Sequence, residues 1–141
     1  MRSDLNKAAE LLAGGAYTCV LCRGEETVTC TERGVKPLLG LIEGGNDWKG
    51  FSAADKVVGK AAAFLYVLLG VAEVYAPVMS KAAAQVLREN GIETQYDTLA
   101  ENIINRVGTG PCPMEAAVAE LSDPSEALCA IRKRLSELQS K

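Results

Sequence analysis

Cys112, held between Pro111 and Pro113, is the side chain best suited to nucleophilic chemistry in this chain. With Pro113 as the first residue of a helix, Cys112 takes the N-cap position, where the positive end of the helix dipole favours a thiolate. Glu115, at the third helical position, opposes that stabilisation, while Glu115 and Asp55 are the carboxylates that would handle protons. A rigid Gly-Pro-Cys-Pro turn is the structural alternative. The sequence contains no histidine. That removes the side chain whose ordinary pKa lies closest to neutrality and also the commonest zinc ligand, so the reaction classes built on either are excluded.

Lys56 and Lys60 point to a different chemistry, anion binding. Ser52-Ala53-Ala54-Asp55 has the form of a capping box, with Asp55 in place of the usual Glu, and an apolar pattern then runs to Gly70. A central helix started there puts both lysines in its first two turns, where the dipole and their mutual repulsion are unfavourable unless an anion offsets them. Solvation, or pairing with Asp55, is the plain alternative. Ser80 and Lys81 open a further helix directly after an apolar strand, and ligands of open α/β sheets bind beyond the carboxyl ends of the strands. A pocket between these two helix starts is therefore expected, with Lys56, Lys60, Ser80 and Lys81 binding and Asp55 orienting them. Gly108 and Gly110 add backbone N–H groups for a phosphate, although two glycines also make an ordinary turn. Trp48, the sole tryptophan, lies in the irregular stretch 43–50 and reads either as part of a binding loop or as an apolar plug.

Cys19 and Cys22 have the spacing of a metal or redox pair, but residues three apart on a strand point to opposite faces. They read instead as small buried hydrophobes, as does Cys30, with Cys129 on the packed side of the last helix. No metal site and no cofactor is expected.

The elements that must position these residues follow from periodicity. Leu5, Ala8, Leu11 and Leu12 form a helical stripe closed by Gly14-Gly15. From Tyr17 to Thr31 the period becomes two, and a turn over Arg23-Gly24-Glu25-Glu26 sets Cys22 opposite Thr27, Leu21 opposite Val28 and Cys19 opposite Cys30. Pro37 starts a short helix. After the central helix, 71–78 reads as a buried strand, 80–90 as a helix stopped by Gly91, and 92–96 as a strand. This is a β-α-β unit with parallel strands and a right-handed crossover. Thr98-Leu99-Ala100-Glu101 reads as the capping box of a helix through Ile104, Pro113 starts another, and Asp123-Pro124 starts the last, with Leu128, Ile131, Leu135 and Leu138 on one side.

Composition sets the outer bounds. The 141 residues suit one domain, 1–141, and 48% hydrophobic against 23% charged residues is the balance of a globular protein. A net charge of −3 supplies no basic field for nucleic acid or an anionic membrane. The longest uncharged run, 61–72, falls short of the roughly 18–20 residues of a membrane-spanning helix. Met1-Arg2-Ser3-Asp4 leads straight into an amphipathic stretch, which predicts a cytoplasmic protein, and an odd five cysteines speak against a disulfide framework.

This order of elements resembles the cytidine-deaminase-like fold. The segments Ser52 to Ala62, Ala76 to Ala82 and Gly108 to Glu115 are similar to a family of uncharacterised proteins with that fold. The resemblance implies a three-layer α/β/α domain with a mixed sheet, an N-terminal hairpin and the parallel βαβ unit. Zinc deaminases carry a His- or Cys-x-Glu segment and a Pro-Cys-x-x-Cys segment at two helix starts. Here those starts read Ser52 to Lys56 and Ser80 to Ala84, with neither thiolate nor imidazole, which argues against zinc-dependent deamination. The expectation is a zinc-free domain binding an anionic or nucleotide-like small molecule. The alternatives are a metal-independent transferase or hydrolase using Cys112, and a structural domain whose apolar helices form a homo-oligomer.

Overall fold

The computed structural model describes residues 4–31, 35–44, 47–101 and 113–139. Its elements in chain order are α1 (Asp4–Gly14), β1 (Cys19–Arg23), β2 (Glu26–Cys30), α2 (Lys36–Glu43), β3 (Ser52–Asp55), β4 (Val57–Val58), α3 (Lys60–Leu69), β5 (Glu73–Ser80), α4 (Lys81–Glu89), β6 (Glu93–Ala100), α5 (Pro113–Val118) and α6 (Pro124–Gln139). The hairpin turns at Gly24, whose φ of 60° is the left-handed conformation glycine adopts without a Cβ penalty. Its register is the expected one, with Cys19 opposite Cys30, Leu21 opposite Val28 and Cys22 opposite Thr27.

The largest departure from the sequence reading is at 52–58. Ser52 to Asp55 is a strand, antiparallel to β1 and parallel to β5, and the central helix starts only at Lys60. Lys56 and Lys60 are therefore not neighbours on one helix: Lys56 lies between β3 and β4. Ser52–Glu73 and Val57–Val78 keep one register along β5, so β3 and β4 act as a single strand interrupted at Lys56. The reason is tertiary. Ala53 and Ala54 are fully buried, one on each face, so their small side chains suit a central strand and no apolar alternation marks it. A second departure is at Thr98 to Ala100, where β6 continues beside β5 as far as Ser80 opposite Ala100. An available partner strand overrides the capping-box pattern, and no helix starts at Thr98.

The six strands form one mixed sheet in which β2, β1 and β3 pair antiparallel and β3, β4, β5 and β6 pair parallel. Helices lie on both faces. Ala8 and Leu12 of α1 pack on Val20, Cys22 and Ala54, whereas Cys19, Leu21, Ala53, Val74 and Ala76 join a larger core with residues of α2 to α6. Cys19 and Cys22 thus face opposite sides, as their spacing requires. In α3, Ala61, Ala63, Phe64, Leu65, Tyr66 and Leu69 are buried, and the larger apolar ones contribute roughly 1.5–3 kcal/mol each. Trp48 is a plug: it stacks edge-on against Phe51 at 5.1 Å and donates its indole N–H to the Leu41 carbonyl at 3.1 Å. Cys129 is exposed on α6 rather than packed, one residue off the stripe through Leu128 and Ile131. Among the described residues no helix is long and apolar enough to cross a membrane.

Candidate functional site

One set of chemistry-bearing side chains gathers beside the break between β3 and β4. Asp55 is the last residue of β3, and its position next to β1 places it opposite Cys19, which is itself opposite Cys30. Tyr66, fully buried on α3, lies over this row. Its hydroxyl donates to Asp55 Oδ2 at 2.7 Å and is 3.1 Å from Cys19 Sγ. A phenol has one proton, and the carboxylate takes it, so the Cys19 thiol faces the remaining lone pairs of the phenol oxygen. Withdrawal from water raises the Asp55 carboxyl from an ordinary 3.8 to about 6, against the opposing hydrogen bonds from Tyr66 and from the backbone N–H groups of Val57 and Lys56. The Tyr66 phenol is pushed up by burial and then by the Asp55 charge. The Cys19 thiol is pushed up by its hydrogen bond with Cys30, then by burial and the same charge. In a chain without histidine, Asp55 is thus a group that exchanges a proton close to neutral pH.

The start of α3 is closed by the chain itself. Glu115, reaching over from α5, accepts the backbone N–H of Lys60 at 2.6 Å on Oε1 and that of Ala61 at 2.8 Å on Oε2. This is the anion that a helix N-terminus attracts, supplied from within. Gly59 makes the approach possible, because a Cβ there would sit 2.4 Å from Glu115 Oε1. The Lys60 ammonium donates to the Ala119 carbonyl at 2.8 Å and lies over the Phe64 ring. At the next helix start, Ser80 Oγ accepts the Ala83 N–H at 3.0 Å, and Lys81 pairs with Glu101.

Of the residues singled out by sequence, Glu115 meets Lys60 at the start of α3, Ser80 and Lys81 open α4, and Asp55 lies apart from them, level with Ala76 of β5 and beside Tyr66; each has an intramolecular partner. Lys56 is exposed and borders a cleft of about 180 Å³ with Ala9, Leu12, Ala13, Tyr75 and Pro77. Trp48 lies in the core against Phe51 and does not line this region. Cys112, Gly108 and Gly110 lie outside the described residues. A zinc ion finds no donor set at the two helix starts, where an ammonium, a hydroxyl and an already engaged carboxylate are present, and no group of three potential ligands occurs among the described residues. Tyr66 was missed by sequence reasoning, and Cys19 was read there as a small buried hydrophobe. The available signal was a hydroxyl in the otherwise apolar run Phe64-Leu65-Tyr66-Val67.

A family model described as a domain of unknown function (DUF1893) matches residues 7–135. Among solved structures, the chain is similar to the crystal structure of a DUF1893 family protein from Thermotoga maritima. The two share 27% sequence identity and a TM-score of 0.82 over 97% of this chain and 92% of that one. No curated protein matches.

Proposed function

The chain belongs to the DUF1893 family, and from that premise we propose that it is a small-molecule-binding domain of deaminase-like arrangement that works without zinc, with its ligand seated beside Asp55. What supports the arrangement is the antiparallel hairpin leading into parallel strands, with helices on both faces. The observation that carries the site is the Asp55 carboxyl raised to about 6 at the break between β3 and β4, since perturbed carboxyls concentrate where ligands are handled. The ligand class is anionic or nucleotide-like: an N–H edge suits the Asp55 carboxylate, while Lys56, the next residue in the chain, borders the cleft beside α1 on the other face of the sheet. The rival structural reading draws on the intramolecular partners of Lys60, Ser80, Lys81 and Glu115.

A thermal-shift screen of nucleosides, nucleotides and phosphorylated metabolites separates the two readings. A true ligand at a hundredfold its Kd stabilises the fold by about 2.7 kcal/mol, and Asp55→Asn abolishes or weakens that shift. A flat screen, or a shift that Asp55→Asn leaves intact, refutes the site. Turnover of the hit compound then separates an enzyme from a binder.

A further inference from the structure

We propose that Cys19 and Cys30 form a dithiol site that a hydroperoxide oxidises to an intramolecular disulfide across the β1–β2 hairpin, next to the Tyr66–Asp55 pair. The two residues are direct cross-strand partners, so their side chains leave the sheet on the same face. Paired residues of antiparallel strands have Cα atoms about 4.5–5.5 Å apart, inside the range a disulfide spans without moving the backbone. Their side chains already hydrogen-bond to each other. Cys22 has no such partner, because it stands opposite Thr27 on the other face.

The two thiols divide the work by exposure. Cys30 is half-buried and within reach of a small peroxide, whereas Cys19 is 2% exposed. The Cys30 thiolate attacks one peroxide oxygen, the O–O bond breaks, and the departing alkoxide or hydroxide takes a proton, leaving a sulfenic acid on Cys30. Cys19 sulfur then attacks Cys30 sulfur, the S–O bond breaks, and the released hydroxide takes the Cys19 proton to give water. Two thiols lose two electrons and the peroxide is reduced. Oxidation removes the hydrogen that Cys19 directs at its neighbours, so the Tyr66 oxygen loses that contact while Asp55 keeps the phenol proton. The step stands whether or not Asp55 binds a ligand.

Native protein treated with hydrogen peroxide, then alkylated and digested with chymotrypsin and trypsin, tests this, since cleavage after Leu21 parts Cys19 from Cys22 and cleavage after Arg23 parts Cys22 from Cys30. The expected product has lost two hydrogen masses, carries a Cys19–Cys30 cross-linked peptide, and returns to the dithiol with a thiol reductant. In Cys19→Ser the cross-link disappears and a dimedone adduct appears on Cys30 instead. Full alkylation of both residues after peroxide overturns the proposal, as does a cross-link that maps to Cys22, Cys112 or Cys129. If Cys19→Ser does not fold, the wild-type peptide map decides alone.

Discussion

Two adjacent crossings from strand to helix solve the same problem differently. Where β5 passes into α4, Ser80 caps the helix it precedes, with its Oγ on the Ala83 N–H three residues on. Where β4 passes into α3, the residue before the helix is Gly59, which has no side chain to offer, and the cap comes from Glu115, 55 residues along the chain from Lys60. The first helix start is closed by its own segment; the second is closed only when α5 has docked. A local cap ties a helix to its strand, and a borrowed one ties three elements together, so the second should make a larger and less separable contribution to stability.

Glu115→Ala gives the sharpest test. It strips two charge-assisted hydrogen bonds from a part-buried helix start and should cost about 3–4 kcal/mol in denaturant unfolding. Gly59→Ala should approach that loss by displacing the same carboxylate, yet cost under about 1 kcal/mol when made in Glu115→Ala. Additive losses in the double variant would mean that the glycine and the carboxylate do not act as a unit, and the contrast with Ser80 would collapse. Next in size is Asp55, at the break between β3 and β4 on the α3 side. The unfolded chain releases this proton near 3.8 and the folded one near 6, so the folded state holds more protons in between and stability falls as pH rises through that window. Above it the penalty is constant, about 3 kcal/mol at 1.36 kcal/mol per pKa unit. Asp55→Asn should therefore be more stable than the wild type at pH 8 by up to that amount and no more stable at pH 4; an equal difference at both pH values would remove the raised carboxyl. Ser80→Ala should have the smallest effect, a loss of about 1 kcal/mol, the ordinary cost of a local cap. A loss as large as that of Glu115→Ala would erase the distinction between the two crossings.

The same contrast explains what could be read from the sequence. The first helix, the hairpin register and the β5–α4–β6 unit rest on signals within a few residues of one another, and each is present in the structure, with β5 shifted by two residues and β6 four residues longer than its pattern suggests. Ser52 to Asp55 is a central strand buried on both faces and made of small residues, so it shows no period of two, and its alanines fit a helix equally well. The end of β6 carries a capping-box pattern that only the presence of β5 overrules. At the candidate site, Asp55 and Glu115 were visible as carboxylates of interest, but their partners were not. Tyr66, Cys19 and Gly59 come from distant elements, and nothing in local spacing records that they will meet.

The contact of Asp55, Tyr66 and Cys19 has a polarity. While Asp55 is ionised, the phenol proton points at the carboxylate, and the thiol hydrogen can point only at the phenol or at Cys30. Once Asp55 takes up a proton near pH 6, the carboxyl becomes a donor itself, the phenol oxygen accepts from it, and the phenol proton is released to turn toward the sulfur. The heavy atoms need not move. Three side chains from two strands and a helix thus share one line of hydrogen bonds whose direction follows the protonation of Asp55 and which ends on a sulfur that solvent barely touches.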